Sequence, residues 1–351
     1  MINIDFLIAG CNTRCRHCYV NGGPGPIIPV EDVLLCMDRL DDLAVNLPGE
    51  VSFTLDHEPM NHPQIEQIIR AASRTVHIEN YHHGMTSGMG LMGREDRHKV
   101  VRAYFDCGYR DFGITIHGNE VHHDEITRRK GSYAAAVKAG EFLKSEGVEL
   151  SVSLMLNRFF AEDSHSISNL LKQLQPNYIY FAIPIYTPHR NMQDFEPYRA
   201  SLETLKSLQS YLTEWGQDAD AIIRQAERNT TAAVADCLAG GLDIPSLFAE
   251  KQDELYLSLH QDCMLYVGNS GVETHCLGDI RSLDLRSTAE AIMALPGNRD
   301  YGAFYNTAVL PPVKDLISAL RDLPPHTLFG DFPSVIYRGL SELNVPTKLV
   351  L

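Results

Sequence analysis

Short apolar runs alternate with amphipathic stretches through the first half of the chain, and this alternation is the tightest constraint on its fold. The runs fall at residues 4–9, 51–55, 76–81, 111–116, 149–156 and 178–183. Each is short and rich in β-branched or aromatic residues, the pattern of a strand. Between them, apolar residues recur at helical spacing over about 29–43, 63–73, 97–107, 132–146 and 166–173. In the first of these, Val33, Leu34, Met37 and Leu40 form the apolar face, and Cys36 among them reads as a core residue. Strand and helix in alternation predict a parallel sheet with crossover helices. Six such units in about 220 residues are too few for a closed eight-stranded barrel. Periodicity alone accepts an open partial barrel or a doubly wound sheet.

The character changes further on. Residues 201–226 and 230–238 are helical in pattern, and Gly240-Gly241 is a stop signal. Strand-like runs follow at 254–259, 263–267 and 272–276, the last two flanking Gly268-Asn269-Ser270-Gly271. That pattern predicts a β-hairpin within 263–276. The expected division is therefore 1–225 and 226–351, the second part small and α+β.

Composition excludes several classes. A net charge of −15 on 351 residues opposes a nonspecific grip on phosphate backbones, which needs clustered Lys and Arg. A cationic partner such as a basic peptide segment is compatible with it. There is no basic and apolar opening of a signal peptide and no run long enough to span a bilayer. Eight cysteines do not make a disulfide scaffold, so a reducing cytoplasm is expected, with neither nucleic acid nor membrane as partner.

Three of those cysteines fall within eight residues, Cys11-Asn12-Thr13-Arg14-Cys15-Arg16-His17-Cys18, just after the first predicted strand. Three thiolates stop one short of closing a [4Fe–4S] cluster on protein ligands, leaving one iron free to take another group. Zinc would also accept three thiolates with His17 or a distant residue as fourth ligand, although structural zinc sites favour paired Cys-x2-Cys knuckles.

The motif, with Tyr19 directly after it, resembles the cluster loop of the radical S-adenosylmethionine (radical SAM) enzymes. The resemblance implies an α/β fold with a partial (β/α)6 TIM-like barrel. It also implies that Cys11, Cys15 and Cys18 hold a [4Fe–4S] cluster, and that S-adenosylmethionine chelates the fourth iron. Asp56-His57-Glu58-Pro59 takes the place of the family's Gly-Gly-Glu-Pro motif, with its two glycines replaced. Glu58 then matches the carboxylate that holds the cosubstrate's amino group. Thr86-Ser87-Gly88 resembles the Thr-Asn-Gly turn after the third strand, and Asn157 is a candidate for the ribose or carboxylate. Thr115 to Tyr133 resembles a stretch of the peptide-modifying branch.

Nine histidines crowd residues 57–123 of the first half: His57, His62, His77, His82, His83, His98, His117, His122 and His123. A second metal site is one reading; hydrogen-bonding side chains around a polar pocket are the plainer one. Substrate contacts are expected at His57, His82, His83 and His117.

Cys263 and Cys276 lie on opposite arms of the predicted hairpin, and Gly271-x4-Cys276 resembles the opening of the family's auxiliary-cluster extension, SPASM or its shorter form Twitch. No cysteine follows Cys276, so a second Fe–S cluster would lack ligands and the extension is expected without its full cysteine set. Cys237 and Cys263 are instead candidate hydrogen-atom donors to a substrate radical, as in the family's peptide epimerases.

The resemblance implies reductive cleavage of S-adenosylmethionine and hydrogen abstraction by a 5′-deoxyadenosyl radical, with flavodoxin or ferredoxin as reductant. The substrate is expected to be a peptide, the ribosomally made precursor of a natural product. A small natural product (sugar, nucleoside or amino acid) and a non-catalytic iron–sulfur electron carrier are the alternatives. Because the chain begins ten residues before Cys11, a leader-binding domain is expected on a separate protein.

Overall fold

The structure, a computed structural model, describes residues 1–80, 83–188, 190–244, 255–294, 305 and 309–350. Strands β1 (Ile2–Phe6), β2 (Val51–Leu55), β3 (Glu79–Asn80), β4 (His83–Met85), β5 (Asp111–Ile116), β6 (Glu149–Met155) and β7 (Tyr178–Ala182) run in chain order. Their crossovers carry helices α1 (Val30–Ala44), α2 (Ile65–Ala72), α3 (Met89–Met92), α4 (Arg97–Asp106), α5 (Glu120–Thr127), α6 (Ser132–Ser145) and α7 (Phe160–Leu174). One parallel sheet has the order β4-β5-β6-β7. A second has the order β10-β9-β8-β1-β2-β3, completed by β8 (Leu255–Leu259), β9 (Met264–Val267) and β10 (His275–Asp279). The architecture is the open partial barrel; no closed barrel forms among the described residues.

Period-2 alternation sorts β1, β2, β5 and β6 into an apolar outer row and a more polar inner one. Ile2, Ile4, Phe6, Val51, Phe53, Phe112, Ile114, Ile116, Leu150, Val152 and Leu154 share one core with Val33, Leu40, Ile68 and Leu143 of the helices. Asn3, Asp5, Ser52, Thr54, Gly113, Thr115, Ser151 and Ser153 occupy the intervening positions. The polar row is where a ligand can be received.

The third strand differs from its expected span. Residues 76–78 form no strand, because the Asp41 carboxylate accepts the backbone N–H of Val76 (3.1 Å), His77 (2.7 Å) and Ile78 (3.0 Å) and folds them into a turn. The long helix expected at 201–226 is three helices, Leu202–Ser207, Gln209–Glu214 and Ala219–Arg228. Gly216 at φ +77° breaks the run, and the Asp218 side chain caps the last helix by accepting the Ala221 N–H at 2.9 Å.

Beyond residue 225, two environments coexist. β8 pairs in parallel with β1, Ile2 opposite Leu255, so Leu255, Leu257, Leu259, Leu265 and Val267 join the barrel's core. β9 runs antiparallel to β8 and β10, forming the expected hairpin. Helices Thr231–Ala239, Val313–Asp322 and Phe332–Glu342 instead build a second core around Val234, Leu238, Leu316, Leu320 and Ile336. No helix among the described residues is long and apolar enough to cross a membrane.

Candidate functional site

The site is built at the carboxyl ends of the parallel strands, where α/β folds place ligands. β1 runs into the loop of Cys11, Cys15 and Cys18. That loop is held by its own backbone, Cys11 N–H on Gly23 O at 2.8 Å, and by the end of α5. There Arg14 N–H donates to Thr127 O (3.1 Å) and Arg16 N–H to Ile126 O (2.9 Å). The Thr13 hydroxyl lies between two thiols, 3.2 Å from Cys11 Sγ and 3.3 Å from Cys15 Sγ. Gly22 N–H donates to Cys18 Sγ at 3.1 Å, and a Cβ at Gly22 would sit 3.2 Å from that sulfur. Sequence reading missed Thr13 and Gly22; their places inside and four residues beyond the motif are the only signal.

Burial pushes all three thiols up, Cys15 to about 12. Cys11 is raised further by the nearby Glu58 carboxylate. Dry thiols of this kind ionise only against a bound cation. Three desolvated sulfurs, with N–H and O–H donors already aimed at them, fit the thiolate ligation of an iron–sulfur cluster. Cys15 Sγ also lies within 4.8 Å of imidazole nitrogens of His17 and His117, a set of groups able to hold a metal ion.

Glu58 follows β2 and is fully buried. Thr86 Oγ1 donates to its Oε1 at 2.8 Å, and Ser87 donates to Oε2 through N (2.6 Å) and Oγ (2.5 Å). Burial nevertheless raises its carboxyl above the usual range. Two glycines permit the arrangement. Gly88 (φ +83°) has no room for a Cβ, which would fall 2.5 Å from Ala135 O; a Cβ at Gly90 would lie 2.9 Å from Glu58 Oε1. The structure thus brings Glu58, Thr86, Ser87 and Gly88 together, as the order of the motifs suggested. Gly90 was missed.

His57 keeps a left-handed backbone, φ +64°, where the resembled motif has glycine. Its amide donates to Asp56 Oδ1 (2.7 Å), its Nε2 donates to Val20 O (3.2 Å), and its buried Nδ1 has no partner.

A cavity of about 150 Å³ adjoins the thiols, lined among others by Cys11, Cys15, Met85, Thr86, Ser87 and Thr115, with His17, His57, His117 and His123. His17 and His117 approach to 3.4 Å through Nε2. Burial drives His17 and His123 down to about 4 and lowers His117 well below the usual imidazole range, so three neutral rings face the cavity.

Other expected residues stand elsewhere. Asn157 spends its amide on backbone, donating to His117 O (2.7 Å) and Met155 O (3.3 Å) and accepting from Phe159 N (3.0 Å). Tyr19 is exposed and lines neither this cavity nor the larger one described below. His83 is bonded to Asp111 at the first residues of β4 and β5 and likewise lines neither. His82 lies outside the described residues. The two candidate hydrogen donors are displaced: Cys263 is buried in the core with its free thiol hydrogen-bonded to that of Cys36, and Cys237 is exposed on helix Thr231–Ala239. The auxiliary pair is split by the same packing, since Cys263 faces Cys36 while Cys276 is exposed on β10 beside Tyr266.

Comparison with known proteins agrees with this geometry. The model of the Radical SAM superfamily matches residues 6–174. No curated protein matches the chain by sequence. Among solved structures, native anSMEcpe with bound AdoMet superposes with a TM-score of 0.55 at 13% identity, covering 85% of this chain and 82% of that one. The same protein with AdoMet and the Cp18Cys peptide gives 0.53 at 15% identity, covering 85% and 81%. SuiB of Streptococcus suis bound to S-adenosylmethionine gives 0.53 at 12% identity, covering 95% and 76%. At these identities the likeness is one of fold.

Proposed function

Residues 6–174 belong to the radical SAM superfamily, whose enzymes work with a [4Fe–4S] cluster and S-adenosylmethionine, and from that premise we propose that this chain removes a hydrogen atom from a peptide, the ribosomally made precursor of a natural product. The observation that carries the reading is the placement of Cys11 and Cys15 on one cavity with Thr86 and Ser87, the residues that hold Glu58. Cys11, Cys15 and Cys18 would hold the cluster. When bound, the cluster and cosubstrate supply a 5′-deoxyadenosyl radical able to attack an unactivated C–H bond.

The chain's own work is placement and exclusion. Glu58 offers an anionic oxygen pair, oriented by Thr86 and Ser87, to the cosubstrate's ammonium, a charge-assisted contact. Neutral His17, His117 and His123 wall the cavity without adding positive charge. The loop crosses residues 23–25 closely at Gly10, where a Cβ would fall 2.1 Å from Gly25 N, so this position beside Cys11 requires glycine. The peptide complex of anSMEcpe, similar in fold, supports a peptide substrate. The hairpin β9–β10 supports reading residues 226–351 as a Twitch-like extension without its metal. A flavodoxin or ferredoxin would dock at the Cys11–Cys18 loop.

The test is anaerobic reconstitution with iron and sulfide, then addition of reductant and S-adenosylmethionine. 5′-Deoxyadenosine is expected from the wild type and none from the Cys11/Cys15/Cys18→Ala variant. Deuterium passing into it from a deuterated precursor peptide supports the peptide reading. Transfer from a deuterated sugar or nucleoside would move the assignment to a small natural product, and absence of 5′-deoxyadenosine would leave an electron carrier.

A further inference from the structure

A second cavity, of about 420 Å³, lies behind the cluster loop, and His57 lines both. The larger one is lined by His57, His260, Gln261, Ser270 and Gly271, together with Arg14 and the glycine-rich segment 21–25. Next to the lining residues His57, His260, Ser270 and Gly271, but not themselves on the cavity surface, lie three carboxylates. Asp5 stands on the inner row of β1, Asp56 follows β2, and Glu273 sits fully buried in the β9–β10 turn. Consecutive amides tie two of them together: Ser270 N–H reaches Asp5 Oδ2 at 3.4 Å, and Gly271 N–H donates to Glu273 Oε1 at 2.8 Å.

The hydrogen bonds at Glu273 are lopsided. His260 Nε2 (2.6 Å), Ser258 Oγ (3.3 Å) and Gly271 N all converge on Oε1. Oε2 is buried with no partner, and so is the hydroxyl of Ser270, a residue 1% exposed on the cavity wall. Among the described residues no lysine or arginine pairs with Asp5, Asp56 or Glu273; His260 is the one basic group on them. The ten strands among the described residues contain no lysine or arginine. Burial, with repulsion from Asp56 and to a smaller degree Glu273 added to it, holds the Asp5 carboxyl at about 7. A buried carboxylate with a bare oxygen costs several kcal/mol unless a cation or donor arrives.

We infer that Glu273 and Asp5, with the Ser270 hydroxyl, receive a positively charged nitrogen group of the substrate, an ammonium or a guanidinium. Ser270 lacks a donor for its oxygen and an acceptor for its proton, and a nitrogen cation can supply the first while Glu273 Oε2 accepts the charge. That the cation belongs to the substrate rests on the function proposed above; that a nitrogen cation binds here does not.

The experiment is ligand-observed NMR titration of the purified full chain with n-butylammonium, n-butylguanidinium and neutral n-butylurea at low salt. No cluster or reductant is needed, so its failure is distinct from a failure to form 5′-deoxyadenosine. At least one cation is expected to bind about 10-fold or more tighter than the urea, and the preferred one identifies the group. Glu273→Gln and Asp5→Asn should each weaken it about 10-fold, and Ser270→Ala about 3-fold. Circular dichroism checks folding; should Glu273→Gln unfold, Asp5→Asn and Ser270→Ala carry the reading. Equal binding of the urea, unchanged affinity in the folded variants, or displacement of the organic cation by millimolar Ca²⁺ would overturn the inference.

Discussion

Glu58 and Glu273 are both fully buried, one on each side of β1 in the sheet, and they are satisfied in contrasting ways. Glu58 receives donors on both oxygens, all from the turn after β4. Glu273 receives three on one oxygen and leaves the other bare. A carboxylate fastened through both oxygens has a fixed plane and is suited to hold one ligand in one orientation. A carboxylate fastened through one is anchored but unfinished, which suits a group arriving from outside. The wall bearing Glu58 lies within the matched domain; the wall bearing Glu273 lies beyond it.

The sharpest way to break this comparison is to remove each carboxylate. Glu58→Ala strands three donors from two residues and should cost about 3 kcal/mol, lowering S-adenosylmethionine affinity about 100-fold. Glu273→Ala also removes a repulsive neighbour of Asp5 and should cost about 1 kcal/mol. Urea unfolding and equilibrium dialysis measure both; a larger stability loss at Glu273 would reverse the assignment of the fixed and the unfinished carboxylate.

A slightly smaller effect is expected at Gly88, which lets the Glu58 wall close. Ala there combines an unfavourable φ of +83° with a Cβ 2.5 Å from Ala135 O, and should cost about 2 kcal/mol. The midpoint of urea unfolding checks this. An unchanged midpoint would show that the turn after β4 has slack, and that Glu58 is less rigidly held than Glu273.

How much of this could be read beforehand differs between the walls. The strands at 51–55 and 111–116 match their expected spans because their apolar rows repeat at period two and turn residues bound them. Glu58, Thr86 and Ser87 were legible because each sits in a motif at a strand end. Nothing local announced residues 76–78 as a turn, since the cause is Asp41, far away in sequence. The Asn157 amide could be placed at a strand end, but not its consumption by the His117 carbonyl. On the hairpin wall the cysteines drew attention, whereas the chemistry gathers at Glu273, Ser270 and Asp5. Those three meet only because β8 pairs with β1, a contact between residues more than 250 positions apart.

One group from each wall, His123 and Asp5, should also titrate in opposite senses. His123 falls from 6.5 to about 4 on folding, so its contribution to stability is present at neutral pH and lost as pH drops from 6.5 toward 4. Asp5 rises from 3.8 to about 7, so it binds a proton more tightly when folded and stability is lost as pH climbs from 4 to 7. The slopes oppose one another across one window, each at most about 1.4 kcal/mol per pH unit. Asp5→Asn should therefore make stability rise more steeply with pH between 4 and 7, and His123→Asn should make it rise less steeply, His17 and His117 still contributing in the same sense. Urea midpoints across that range decide it, and identical profiles for the two variants would contradict the opposed titration.

The smallest effect concerns the partition between the walls. His57 holds φ +64°, which costs a residue with a Cβ about 1 kcal/mol. Glycine would relieve that, but would lose the bond from Nε2 to Val20 O and admit more freedom to the unfolded chain. These terms nearly cancel, so His57→Gly should shift stability by less than about 1 kcal/mol while opening the smaller cavity into the larger. A loss of about 2 kcal/mol or more in urea unfolding would show that the imidazole, through Val20, braces the cluster loop against the hairpin, and the two walls would then have to be treated as one mechanical unit.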